Sequence, residues 1–143
     1  MTSDLAHVPD PIDSEESAAD VVRAMLSLDD ITSGSVLFLL CDPDRRPVLP
    51  IIVSDVPLTA PPTDTLSHWI DHLGQQLEGE MNPSLVFARA RPGQSFVLDH
   101  DREWHAAIER ACEDARLPLV AAFVVTPHAA VPFPAPMAPS PFS

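Results

Sequence analysis

Lysine is absent from this 143-residue chain, so every fixed positive charge on it is an arginine. Lys and Arg together number 8 against 21 Asp and Glu, a formal net charge of -13. Binding a nucleic acid takes a face of several cations that neutralise phosphates. The arginines here are scattered among carboxylates, and the summed field repels nucleic acids and anionic membranes alike. Neither is an expected partner. Only two cysteines occur, Cys41 and Cys112, each in an apolar segment and without CxxC spacing. Buried, reduced thiols are the expectation, in keeping with a reducing compartment. Four glycines leave no Gly-rich phosphate loop, and no GxSxG elbow is present. No apolar run reaches the ~18 residues of a membrane span, and residues 1–20 lack a basic region followed by an apolar one. The expected location is cytoplasmic.

What the chain does contain is a central apolar block between acidic and proline-rich ends. With 45% hydrophobic and 20% charged residues, a chain of this length forms one domain that buries about two-thirds of its unfolded surface. Residues 1–13 are polar, carry Pro9 and Pro11, and are expected to be disordered. The domain is placed at residues 14–131. Residues 132–143 form a proline-rich tail, expected as polyproline II or flexible chain. Its Pro136-Met137-Ala138-Pro139 fits a PxxP pattern, which arises readily by chance in such tails.

Ser14 offers an N-cap for a helix running to Leu26, with Glu15 and Glu16 in its first turn and an apolar stripe of Ala18, Val21, Val22 and Met25. Ser35–Cys41 is short and rich in β-formers, and reads as a strand buried on both faces. Asp42-Pro43-Asp44-Arg45-Arg46 is a turn, and Val48–Ser54 returns as a strand in which Pro50 argues for an edge or a bulge. Thr63 or Asp64 caps a helix with the stripe Leu66, Trp69, Ile70, Leu73, Leu77. Ser84–Ala90 is a third strand. Asp99 can cap a helix that buries Trp104, Ile108, Ala111, Cys112 and Ala115. Leu119–Thr126 is a fourth strand, and His128–Phe133 can add a fifth. The order α-β-β-α-β-α-β implies an α/β fold: a mixed sheet with an N-terminal hairpin and helices packed on it.

Two local clusters could hold a metal. His68-Trp69-Ile70-Asp71-His72 puts two imidazoles at i, i+4, as in the HxxEH arrangement. They fall opposite the apolar stripe, point to water and lack a third ligand. Asp99-His100-Asp101-Arg102-Glu103-Trp104-His105 is rich in ionisable groups, but acids at a helix N-terminus need no function. His100 and His105 also lie on different helix faces.

The block Leu85-Val86-Phe87-Ala88-Arg89-Ala90-Arg91-Pro92-Gly93 resembles the strand and loop of RadC-family JAB/MPN domains. The family pattern there is an apolar strand followed by H-x-H-P-[SG]. Its histidine positions fall on Arg89 and Arg91, with Pro92 and Gly93 retained. The family's downstream S-x-x-D falls on Leu98 and Asp101. Val36–Asp42 with Arg45-Arg46 is similar to its first hairpin. The position of the catalytic glutamate holds none in this chain, and Asp55 is the nearest candidate. The resemblance covers Ser35 to Thr126 and implies a JAB/MPN (cytidine-deaminase-like) architecture. In that family two imidazoles and a carboxylate hold zinc and its reactive water. Arginine stays protonated and has no lone pair to give. The resemblance therefore implies a pseudoenzyme with vestigial site positions at Arg89, Arg91, Leu98, Asp101 and Asp55, no bound metal and no cofactor. Arg91 or Arg89 is expected to pair with Asp101 where the ion would have bridged. The expected role is a non-catalytic RadC/JAB-like module for protein interaction or scaffolding, with an unspecified protein partner. The alternative is a metal-dependent hydrolase with a relocated site drawn from Asp55, His100, Asp101, His105 and His128.

Overall fold

The computed structural model describes residues 11–56, 62, 66, 83–95 and 97–133. Two helices open this part of the chain. In α1 (Glu15–Met25) the Ser14 hydroxyl accepts from Ser17 N–H, and Glu15 and Glu16 face the positive end of the helix dipole. Ala18 and Val22 are its buried residues. The short α2 (Leu28–Ser33) was not foreseen. Ser27 caps it from Asp30 N–H, Asp30 returns the bond to Ser27 N–H, and Ile31 is its one buried side chain.

A hairpin follows, built from β1 (Ser35–Cys41) and β2 (Pro47–Ser54). The Asp42 carboxylate nucleates its turn by accepting from Asp44 N–H and Arg46 N–H, both at 2.9 Å. After β3 (Ser84–Ala90), helix α3 (Asp99–Ala115), β4 (Leu119–Val125) and β5 (Ala130–Pro132) complete the described elements. The five strands form one mixed sheet in the order β2-β1-β3-β4-β5. Among the described strands only β3 and β4 pair in parallel, with α3 as their crossover.

Position in this sheet accounts for the strand compositions. β1 and β3 are central, and all seven residues of each are buried. β2 lies at one end of the strand order, the first of the two placements that Pro50 allowed, and it leaves Val48 and Leu49 exposed. The irregularity in the hairpin register falls at Leu40/Cys41 instead of Pro50. Alternate strand residues feed two cores. Val36, Phe38, Leu85, Phe87 and Val124 meet Trp104, Ile108 and Cys112 of α3 on one face. Leu37, Leu39, Val86, Ala88 and Phe123 meet Ala18, Val22 and Ile31 of α1 and α2 on the other. Cys41 and Cys112 are free and buried.

Several expectations need correction. Residues 11–13 are not part of a disordered leader, because Ile12 is buried in the second core and its N–H donates to Arg45 O at 2.8 Å. At the other end β5 runs through Pro132, and Phe133 packs into the first core, beyond the expected boundary at residue 131. Asp99 is the first helical residue of α3 rather than its cap; Leu98 stands at the N-cap. Ala115, the last residue of α3, is exposed instead of buried. The helix expected after Thr63, with His68 and His72, lies outside the described residues apart from Pro62 and Leu66, both helical and buried. Among the described residues, no helix is long and apolar enough to cross a membrane.

Candidate functional site

One end of the sheet gathers the positions singled out by sequence. Ser35 opens β1 and pairs with Ser54 on one side and Ala90 on the other. The ends of β2 and β3 therefore flank the start of β1, with Asp55 following the one and Arg91 the other. Period-2 alternation then sends Phe87, Arg89 and Arg91 to the α3 face. The first turn of α3 brings Asp101 to the same place.

Arg91 and Asp101 are 1% and 0% exposed, and they form a forked ion pair. Arg91 Nε donates to both Asp101 oxygens, at 2.9 and 3.2 Å, and Nη2 donates to Oδ2 at 2.7 Å. Nη1 is turned the other way and donates to Pro92 O and Gln94 O, so the guanidinium also shapes its own loop. Asp101 Oδ2 takes a further bond from Leu98 N–H at 2.8 Å, closing the start of α3. A carboxylate at the third helical position is well placed against the dipole and satisfies one orphan N–H. The geometry is charge-assisted and bidentate, the strongest form such a pair takes.

Arg89 is also fully buried but is held differently. Its Nη1 donates to Ser35 O at 3.3 Å and its Nη2 to Val56 O at 3.2 Å. The guanidinium carbon lies 5.2 Å from the centroid of the Trp104 ring, a cation–π contact. Trp104 in turn stacks on Phe87. Burial pushes the Arg89 guanidinium down to about 10, with Asp101 raising it and Arg91 lowering it. Gly34 makes this arrangement possible. It sits at φ +87°, and a Cβ there would meet Val56 O at 2.7 Å.

The remaining predicted residues are not gathered into a metal site. Asp55 is exposed at φ 59°. Leu98 contributes its backbone N–H and leaves its side chain 40% exposed. His100 Nδ1 lies 3.5 Å from Asp101 Oδ1 at the rim. His105 belongs to a different part of α3, where it stacks on Phe133 at 4.5 Å and faces Glu109 at 3.5 Å. His128 is exposed in the β4–β5 turn. Among the described residues, no group of three His, Cys, Asp or Glu side chains could hold a metal ion.

Sequence reasoning named Arg89, Arg91 and Asp101 but missed the other half of the site, namely Trp104 and the carbonyls of Ser35 and Val56. Trp104 was read as core alone. The legible signal was its place three residues after Asp101, which puts both side chains on the sheet-facing side of one helix. The carbonyl acceptors carry no sequence signal. No protein-family model matches the chain, and no curated protein matches it.

Proposed function

We propose that this chain is a non-catalytic RadC/JAB-like domain that serves as a protein-interaction or scaffold module. The reading rests on one observation above all. The acid that the resemblance aligns with a metal ligand is the acid gripped by Arg91, on both oxygens and away from water. A carboxylate so engaged has no lone pairs facing an open site, and the cation beside it repels a divalent ion. Arg89, on the other aligned histidine position, adds a second guanidinium to the same end of the sheet. Two buried guanidiniums and a carboxylate engaged on both oxygens suit a rigid platform better than hydrolytic chemistry, which needs a free ligand set to activate a water. The formal charge of -13 favours a partner that presents a basic face, since complementary fields steer encounter.

The test is a metal titration of two proteins. The native chain, incubated with zinc and freed of excess, is expected to retain far less than one zinc per chain by elemental analysis. The Arg89→His/Arg91→His variant restores two imidazoles beside Asp101 and is expected to gain zinc. Stoichiometric zinc on the native chain, lost on Asp101→Asn, would overturn the reading.

A further inference from the structure

At the β2 end of the strand order, no strand lies beyond β2 among the described residues. The pairing with β1 fixes which polar groups of β2 are spent. Asp42 N–H donates to Arg46 O at 3.0 Å, and Gly34 O accepts from Val56 N–H at 2.9 Å, so the even positions of β1 turn toward β2. Ile51 stands opposite Phe38 and Val53 opposite Val36. Pro50, Ile52 and Ser54 therefore turn their backbone groups away from β1, which suits Pro50, since it has no N–H to give. Among the described residues, no backbone bond outside the strand pairing reaches Ile52 or Ser54.

This edge is guarded unevenly. Sheet edges are commonly closed to other strands by charged side chains, proline or a bulge. The register shift at Leu40/Cys41 and Pro50 guard the half near the turn. Residues 51–54 carry neither proline nor charge, and the whole of Pro47–Ser54 is without a charged residue in a chain of net charge -13. Ile51 and Val53 lean on one core and Ile52 on the other, each only half-buried. Val48 and Leu49, 65% and 39% exposed, extend the apolar run.

We propose that this edge pairs with the same edge of a second copy of the chain, antiparallel about a two-fold axis at Ile52. A second copy fits it better than a basic partner, because an uncharged apolar strand gives lysine or arginine nothing to pair with. In this register Ile52 meets Ile52 of the second copy, and the two exchange both backbone bonds. Each Ser54 N–H donates to Pro50 O across the axis, so a proline serves there as acceptor only. Ile51 falls beside Val53 of the second copy, an apolar cross-strand pair on either side of the axis. An axis at Ile51 would set each proline against Ile52 and forfeit a bond there, and an axis at Val53 would set Ile51 against the Asp55 carboxylate. The small contact and the repulsion of two acidic copies make the association weak. It stands whether or not the RadC/JAB reading does.

Sedimentation equilibrium of the full chain from about 1 μM to about 1 mM tests it. The mean mass is expected to rise toward twice that of the chain. Ser54→Pro removes the N–H that crosses the axis and puts a ring in the path of the second copy, at an exposed position that spends no bond on β1. It is expected to weaken association at least about tenfold, whereas Leu28→Lys, exposed on α2, leaves it unchanged. Amide exchange on the native chain needs no variant: Ile52 is expected to gain protection as concentration rises, while Val53, already bonded to β1, does not. A monomer at every concentration, or a dimer that Ser54→Pro leaves intact, would overturn the proposal. Exchange at Ile52 that is independent of concentration would overturn it equally.

Discussion

Asp101→Ala removes four hydrogen bonds at once: three from Arg91, at 2.7, 2.9 and 3.2 Å, and one from Leu98 N–H at 2.8 Å. The Arg91 guanidinium then stays buried without the Asp101 carboxylate. Breaking a buried ion pair by deleting one partner costs about 3–5 kcal/mol. Losing the bond at the start of α3 contributes about 1 kcal/mol, largely within that range rather than on top of it. A surface substitution changes stability by about 0.5 kcal/mol, so the two cases are well separated. With a urea dependence of about 1–3 kcal/mol/M, the unfolding midpoint of Asp101→Ala should fall by on the order of 1–5 M. Arg91→Ala should fall comparably, since it strands the carboxylate. The paired replacement Arg91→Met/Asp101→Leu should recover most of the loss, because apolar residues of similar volume carry no desolvation cost. Urea titrations of the four proteins complete a double-mutant cycle. Single-variant midpoints unchanged from the native chain, or additive effects with no coupling, would refute the assignment of this pair as the organising contact of the site.

Gly34→Ala should destabilise by about 1–3 kcal/mol, since it puts a Cβ 2.7 Å from Val56 O in a backbone conformation that L side chains rarely adopt; thermal melting reads it, and an unchanged midpoint contradicts the close approach. The two thiols should resist iodoacetamide near pH 8 in the folded chain and react in urea, because burial raises Cys41 to about 11 and Cys112 to about 12. Both folded values lie above the ordinary 9, so the folded chain keeps protons that the unfolded chain releases. Their stabilisation is complete below pH 9 and is lost as pH rises toward the folded values. Arg89 acts in the opposite sense: its folded value near 10 lies below 12.5, so the unfolded chain holds the extra proton and stability is regained as pH rises between them. The decline should therefore be steepest between pH 9 and 10, before Arg89 titrates; urea midpoints across that interval check it, and a flat profile counts against the buried thiols.

The sequence by itself determined the local elements of this protein. The run Ser35–Cys41 had no polar face to show to water, so it read as buried on both faces, and Pro50 argued for an edge or a bulge. Ser14 with Glu15 and Glu16 wrote the start of α1 into adjacent residues. Where the signal was weak, as in the six-residue α2 held by reciprocal bonds between Ser27 and Asp30, the element passed unseen. The ends were misjudged for a related reason. Ile12 stands among acids and a proline and Phe133 between two prolines, and only the cores they complete make them part of the domain. The candidate site was legible as a set of charges but not as a structure. Arg89, Arg91 and Asp101 could be named from their order in the chain. Which arginine would take the carboxylate, and what would hold the other, was decided by the sheet. The pleat turns both arginines toward α3, while the helix start presents one acid at the reach of Arg91. Arg89 is left to the carbonyls of Ser35 and Val56 and the face of Trp104. Those partners lie up to 54 residues away along the chain. Backbone carbonyls have no letter in the sequence, and only the folded chain brings them to a guanidinium.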